Sequence, residues 1–244
     1  MIQHDDALII KHPDTGFLSV AGDDACAFLQ SIITANVEAL TVNACCPSAL
    51  LTPQGRVLID MMIYRPAIDR FIMRCDSARR DDLFAKLRKY RLRRPIELTI
   101  EPDVSLYLIM AEKTSSQPGK QIANQIIDEL VNSPKVIISC SDPRSPDLGT
   151  HILVKGGKVN ATADQIDIWH KARIAAGVPE GAVDLTPERA LMLEAGLDQL
   201  GAVDFGKGCY VGQEVTARTH YRGLVKRRLV PLKVIGTPPT LASD

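Results

Sequence analysis

Three glycines fall within the run Gly206-Lys207-Gly208-Cys209-Tyr210-Val211-Gly212-Gln213-Glu214. Glycine lifts the backbone restriction that a Cβ imposes, so such a run calls for a turn or a close approach of main chain, not a buried strand. A lysine, a thiol, a phenol, an amide and a carboxylate share the same nine positions, so the rest of the chain reads as a scaffold presenting this loop. Cys209 lies two residues from Lys207, and Arg218, Arg222, Lys226, Arg227 and Arg228 follow. Positive neighbours favour thiolate, which makes Cys209 the candidate reactive or metal-binding sulfur and Lys207 its activating neighbour. An inert, hydrophobe-like cysteine is the alternative reading of the same residue. Gly201 to Gly208 nearly matches a phosphate-cradling loop, but Gly208 stands where a magnesium-binding hydroxyl belongs, which excludes a nucleoside-triphosphate site.

The chain has 244 residues, 45% hydrophobic and 24% charged, enough for two or three compact lobes of an ordinary globular protein. Its formal net charge is zero, so nucleic-acid binding would have to rest on local patches. Met1 to Asp6 lacks the basic-then-apolar pattern of a leader, and no stretch approaches a membrane span, which together predict a cytoplasmic protein with no membrane contact. Six cysteines without a CxxC pair and five scattered histidines predict no protein-only metal site.

In chain order, Ala7 to Ile10 and Phe17 to Ala21 read as strands around a Pro13–Gly16 turn. An amphipathic helix follows, capped by Asp23 or Asp24, with Ala25, Phe28, Leu29, Ile32 and Ile33 inside. Ala49 to Thr52 and Val57 to Tyr64 form a hairpin. Its second strand is apolar on both faces, and Asp60 is the only charge within it, so that carboxylate needs a partner. Arg70 to Cys75 is a strand, and Ser77 caps a helix with Leu83, Phe84, Leu87 and Tyr90 inward. Eight basic residues between Ser77 and Arg94 form a solvated face or an anion patch. Strands at Pro95–Glu101, Val104–Met110, Val136–Cys140 and His151–Val154 flank a helix carrying Ile122, Ile126, Ile127 and Leu130. Thr162 and Gln165 make a capping box for a helix in which Trp169 anchors packing. The whole reads as an α+β protein.

The run KGCYVGQE, with TARTHYRG and KRRLV after it, closely resembles the signature of the YgfZ-type folate-binding proteins. These are relatives of the glycine-cleavage T protein (aminomethyltransferase) and of mitochondrial iron–sulfur assembly factors. The resemblance implies two interlocked lobes around a central folate pocket, the first over 1–45 and 102–199 and the second over 46–101 and 200–228. Lys226 to Leu232 would begin a C-terminal β-domain, of which 229–244 would be a truncated stub. LLTPQGRVLIDMMIYR resembles the segment whose aspartate faces the reactive nitrogens of tetrahydrofolate, which falls on Asp60. T proteins usually carry two adjacent aspartates there and this chain has one. Glu194 in LMLEAGLD falls on the glutamate that holds the pterin ring, with Met192 where many members have proline. Tyr210, Gln213, Glu214, Arg218 and Arg222 are implied as further folate contacts, and Cys209 and Lys207, with Asp60, as the reactive groups.

The leading expectation is therefore a factor that binds tetrahydrofolate or a derivative and supports assembly or repair of iron–sulfur proteins, with client or assembly proteins as partners and an influence on tRNA modification. A folate-dependent aminomethyltransferase is the second expectation. A non-catalytic RNA-binding module, contacting tRNA through Arg79–Arg94 and Arg218–Arg228, is the third.

Overall fold

The computed structural model describes residues 7–111, 133–156 and 166–236. Its first strands are β1 (Ala7–Lys11) and β2 (Thr15–Ala21), followed by helix α1 (Ala25–Gln30). Next come β3 (Ala44–Leu51), β4 (Val57–Ala67), β5 (Arg70–Asp76) and helix α2 (Arg80–Arg91). Strands β6 (Glu97–Ile100), β7 (Val104–Ala111), β8 (Val136–Ser141) and β9 (Thr150–Lys155) precede helix α3 (Ile166–Ala175). A single turn, α4 (Gly181–Asp184), and helix α5 (Gln213–Tyr221) complete the regular elements among the described residues. The strands form two antiparallel sheets, in the orders β3-β4-β5-β2-β6 and β1-β7-β9-β8.

The doubly apolar β4 sits inside the five-stranded sheet, where both of its faces can be buried. Ile59, Met61 and Ile63 join Phe28, Leu29, Leu83 and Leu87 of α1 and α2 on one side. Met62 and Tyr64 face the other way, into a core shared with Leu106, Leu108 and Leu153 of the second sheet and Trp169 of α3. That second core joins the sheets, and β8 lies against β3 and β4. A third cluster packs Leu51 and Val57 against Met192, Leu193, Leu197 and Tyr210.

β1 and β2, the strands read on either side of the Pro13–Gly16 turn, do not pair with each other. β1 pairs with β7, while β2 pairs with both β5 and β6. β2 has apolar side chains on both faces, Leu18 and Val20 toward one core and Phe17 toward the other, so it requires an interior place. Residues 15–30, expected in the first lobe, accordingly belong with the five-stranded sheet, and Pro13-Asp14 crosses between sheets. α1 ends at Gln30, short of Ile33, because the Ser31 hydroxyl donates to the Phe28 carbonyl and Ile33 instead bridges to Leu50. The Asp24 carboxylate pairs with Arg94 at 3.0 Å and does not cap α1. Asp76, not Ser77, accepts from the Ala78 N–H at the turn that opens α2.

Residues 222–236 contain no strand, against the expectation at Lys226 to Leu232. A strand needs a hydrogen-bonded neighbour, and none pairs here among the described residues. The helix placed on Ile122–Leu130 and the Thr162–Gln165 capping box lie outside the described residues.

α5 is docked onto the β3–β4 turn at Gly212. With φ +81°, a Cβ there would stand 2.5 Å from the Thr52 carbonyl oxygen and 3.2 Å from the Gly55 Cα. Replacing Gly212→Ala should therefore cost about 2–4 kcal/mol in urea unfolding. Gly208→Ala, whose Cβ would meet nothing within 4 Å, should change stability by less than about 0.5 kcal/mol.

Candidate functional site

A cavity of about 210 Å³ lies where β4, β5, the β1–β2 crossover and the segment after α3 converge. Asp60, Arg74, His12, His170, Arg173 and Glu180 line it. Asp60 enters from β4 and accepts from the Gly181 N–H at 3.0 Å. Burial pushes its carboxyl above the usual carboxylate range; the Gly181 bond opposes this, the Glu180 charge adds to it, and Arg74 lowers it. Gly181 carries φ +64° at the start of α4, which turns that N–H toward the carboxylate.

Arg74 is 5% exposed, an uncommon place for a guanidinium. It donates through Nη2 to Glu180 Oε1, while Nε and Nη1 find no hydrogen-bond partner among the described residues. Burial alone would raise Glu180, but Arg74 and His12 outweigh it and hold the carboxyl well below its ordinary range. His12 Nε2 stands 3.5 Å from Glu180 Oε2, and its ring meets the Trp169 ring edge-on at 4.9 Å. Arg173 donates to Asp184 Oδ2 at 2.5 Å, to the Val178 carbonyl at 3.1 Å and to His170 Nδ1 at 3.0 Å. Burial, followed by the Arg173 charge, lowers the His170 pKa and favours the neutral ring.

Behind the cavity a second polar chain crosses between the sheets. The Tyr64 hydroxyl lies 2.9 Å from His151 Nδ1, and His151 Nε2 lies 3.0 Å from Asp142 Oδ2. Burial lowers the His151 pKa, against the opposing pull of the nearby Asp142 carboxylate. Arg144 grips the same carboxylate through Nε and Nη2. Burial would raise Asp142, but the hydrogen bonds from His151 and Arg144 outweigh it and hold the carboxyl far below its usual range.

The signature loop is divided between assembly and exposure. Lys207 turns inward, 8% exposed, and donates to the carbonyls of Ile33 at 2.8 Å and Ala35 at 2.6 Å. Burial lowers its pKa to about 8. Its ammonium is thus engaged with the loop after α1. Asp204 extends the same seam, accepting from Asn36 Nδ2 at 2.9 Å and from the Gly206 N–H at 2.7 Å. Tyr210 is buried in the third cluster beneath Lys207, and burial raises its pKa to about 12. Cys209 alone of the six cysteines is exposed. Gln213 is half-buried, Arg222 is exposed, and Glu214 pairs with Arg218 at 2.7 Å on the open face of α5. None of these lines the Asp60 cavity.

Glu194 is also separated from Asp60. Its carboxylate accepts from Arg227 Nε at 3.0 Å, and its carbonyl accepts from the Leu229 N–H at 2.7 Å. Arg228 forks onto Asp198 at 2.9 and 3.1 Å. Glu194 borders two neighbouring cavities of about 350 and 130 Å³, neither of which contains Asp60. Sequence reasoning found Asp60 but missed Arg74, Glu180, His12 and Arg173. Arg74 carries the same signal as Asp60, a charge inside an apolar strand, and could have been paired with it.

The displaced carboxyls have opposite consequences for stability. The raised pKa of Asp60 favours its acid form in the fold, so its penalty is absent below the unfolded value near 4 and develops as pH rises through the folded pKa. Asp60→Asn should raise unfolding free energy at pH 7 by on the order of 1 kcal/mol and leave it unchanged near pH 3.5, as measured by urea titration at both pH values. Glu180 and Asp142 act in reverse: their lowered pKa values supply stability above about pH 4 that is lost as pH falls toward the folded values.

Comparison with known proteins agrees with this architecture. Residues 5–108 match the GCVT N-terminal domain family. The chain is 34% identical to an iron-sulfur cluster assembly factor IBA57 homolog, mitochondrial, of Mycosarcoma maydis, over 95% of this chain and 59% of that one. It is 31% identical to the human mitochondrial IBA57 over 91% of this chain and 65% of that one. It thus spans about three fifths of the length of these relatives. The glycine cleavage system aminomethyltransferase T of Bartonella henselae superposes with a TM-score of 0.68 at 16% identity, covering 89% of this chain and 64% of that chain, a likeness of fold alone. These relatives are named as mitochondrial factors, which overturns the cytoplasmic expectation, since an ordinary composition is shared by proteins of either compartment. Among the described residues no helix is long and apolar enough to cross a membrane. By sequence this chain is a relative of the IBA57 factors, and its residues 5–108 match the GCVT N-terminal domain family.

Proposed function

We propose that this chain supports the assembly of iron–sulfur proteins in the mitochondrion, and that the cavity around Asp60 takes the ring end of a reduced folate. The assembly role is supported by the IBA57 relatives, whose similarity covers most of this chain. The folate reading is carried by one observation: a single cavity combines the Asp60 carboxyl with a buried Arg74 whose Nε and Nη1 lack partners among the described residues. A buried donor left unpaired is costly, so a ligand supplying an acceptor is the simplest way to satisfy it.

The residues present fit a reduced pterin. Its aminopyrimidine edge offers N–H donors to Asp60, and its ring carbonyl offers an acceptor to Arg74. When bound, a reduced folate carries a one-carbon unit. Asp60, with its raised pKa, would hold or release a proton beside the ligand, and the Gly181 N–H would keep the carboxyl oriented. Glu180 fixes Arg74 from behind. Cys209, exposed on the signature loop, would meet the cluster, a redox partner or a reactive one-carbon species. Cys209→Ser should accordingly abolish rescue of a cluster-dependent enzyme while leaving the unfolding midpoint unchanged.

Anaerobic calorimetry with tetrahydrofolate tests the cavity. The wild-type chain should show saturable binding, and Asp60→Ala should weaken it by about 10–100-fold, the loss of a charge-assisted hydrogen bond. Glu194→Ala should shift affinity by less than about threefold, because Glu194 faces other cavities. Absence of binding by the folded wild type would overturn the folate reading. Equal losses in the two variants would mean that the ligand spans both cavities across the Gly181–Thr186 segment.

A further inference from the structure

Two thiols meet where the sheets join. Cys45 of β3 is buried and Cys140 of β8 is half-buried, and both belong to the core shared by the sheets. In register, Cys45 stands opposite Tyr64 and Cys140 opposite His151, and the Tyr64 hydroxyl reaches His151 at 2.9 Å. The Cys45 Sγ lies 3.5 Å from the carbonyl oxygen of Ser141, the residue next to Cys140, and the two thiols are within hydrogen-bonding reach of each other. Each cysteine is therefore anchored on a strand already tied to the other sheet by the Tyr64–His151 contact.

We propose that Cys45 and Cys140 form a redox-modification site, a vicinal dithiol that a small-molecule disulfide converts into a covalent staple between the two sheets. Cys140, the more accessible thiol, attacks the reagent as thiolate and expels one small thiolate. Cys45 then attacks the Cys140 sulfur of the mixed disulfide and expels the second. One Sγ–Sγ bond forms, the reagent's S–S bond breaks, two electrons pass to the reagent, and the two thiol protons leave on the two small thiols. The bond would close a loop of about 100 residues, the class in which a cross-link most restricts the unfolded chain. It would also sit beside the Tyr64–His151–Asp142 chain and so harden the wall behind the Asp60 cavity. The surroundings oppose rapid reaction: the hydrogen bond with Cys45, then burial, with the Asp142 charge adding to them, hold the Cys140 thiol above its ordinary pKa, so exchange should be slow at neutral pH and faster in mild alkali. The staple is thus a response to sustained oxidation.

The test is equilibration of the folded full chain with oxidised and reduced glutathione at graded ratios near pH 8.5, about the ordinary thiol pKa. Acid quenching, alkylation and non-reducing peptide mapping follow. The expected product is one cross-linked peptide joining Cys45 to Cys140, with a melting temperature raised by on the order of 10 °C and restored by dithiol reductant. Cys45→Ala and Cys140→Ala should each abolish both the cross-link and the rise, whereas Cys209→Ser should keep both. If both alanine variants unfold, mapping of the wild type still decides. A cross-link between any other pair, glutathione adducts without a cross-link, or all six thiols free at the most oxidising ratio would each overturn the proposal.

Discussion

The Arg74–Glu180 ion pair holds the site together. Arg74 issues from β5 in the five-stranded sheet, and Glu180 from the segment that leaves α3 over the second sheet. Both are largely buried, so breaking either partner would strand an uncompensated charge in the interior. Around this pair the chain arranges His12 from the crossover between sheets, Arg173 from α3 and Asp60 from β4. The cavity exists because these elements converge on one buried charge pair. Its chemistry follows from the same convergence, since burial there raises Asp60, the Glu180 charge adds to it, and Glu180 fixes Arg74.

The signature loop works through a division of labour. Gly212 permits contact with the Thr52 carbonyl and so seats α5 on the hairpin turn. Lys207 and Asp204 stitch the loop to residues 33–36, and Tyr210 fills the core beneath. With those residues committed to assembly, Cys209 and Glu214 are the functional side chains left facing solvent, and Glu214 is paired with Arg218. A motif rich in reactive residue types is thereby mostly a tether. Its chemical content is concentrated in one thiol held on a well-anchored turn.

Glu194 shows the same economy in the segment 222–229. Arg227, Arg228 and the Leu229 N–H each hold the Leu193–Asp198 turn, so a stretch without a strand is nevertheless tied down. Arg227 is 83% exposed and its bridge is weak on its own. The forked Arg228–Asp198 pair, 33% and 12% exposed, is the firmer attachment.

Much of the fold was legible from local pattern. The near-continuous apolar run from Val57 to Tyr64 implied a strand with two buried faces, and Leu83, Phe84 and Leu87 implied the inner side of α2. Asp60 stood out as a charge in that strand, and the glycine run announced a turn. These features depend on periods of two or 3.6 residues and on backbone sterics, which neighbouring residues determine by themselves. Sheet membership of β2, the inward course of Lys207 and the separation of Glu194 from Asp60 were decided only by tertiary structure. Arg74 and Glu180, like Cys45 and Cys140, are about a hundred positions apart, and no local period links such pairs. Whether a buried charge finds a partner, or a lysine finds two carbonyls, depends on which distant segments the packed core brings within 3 Å.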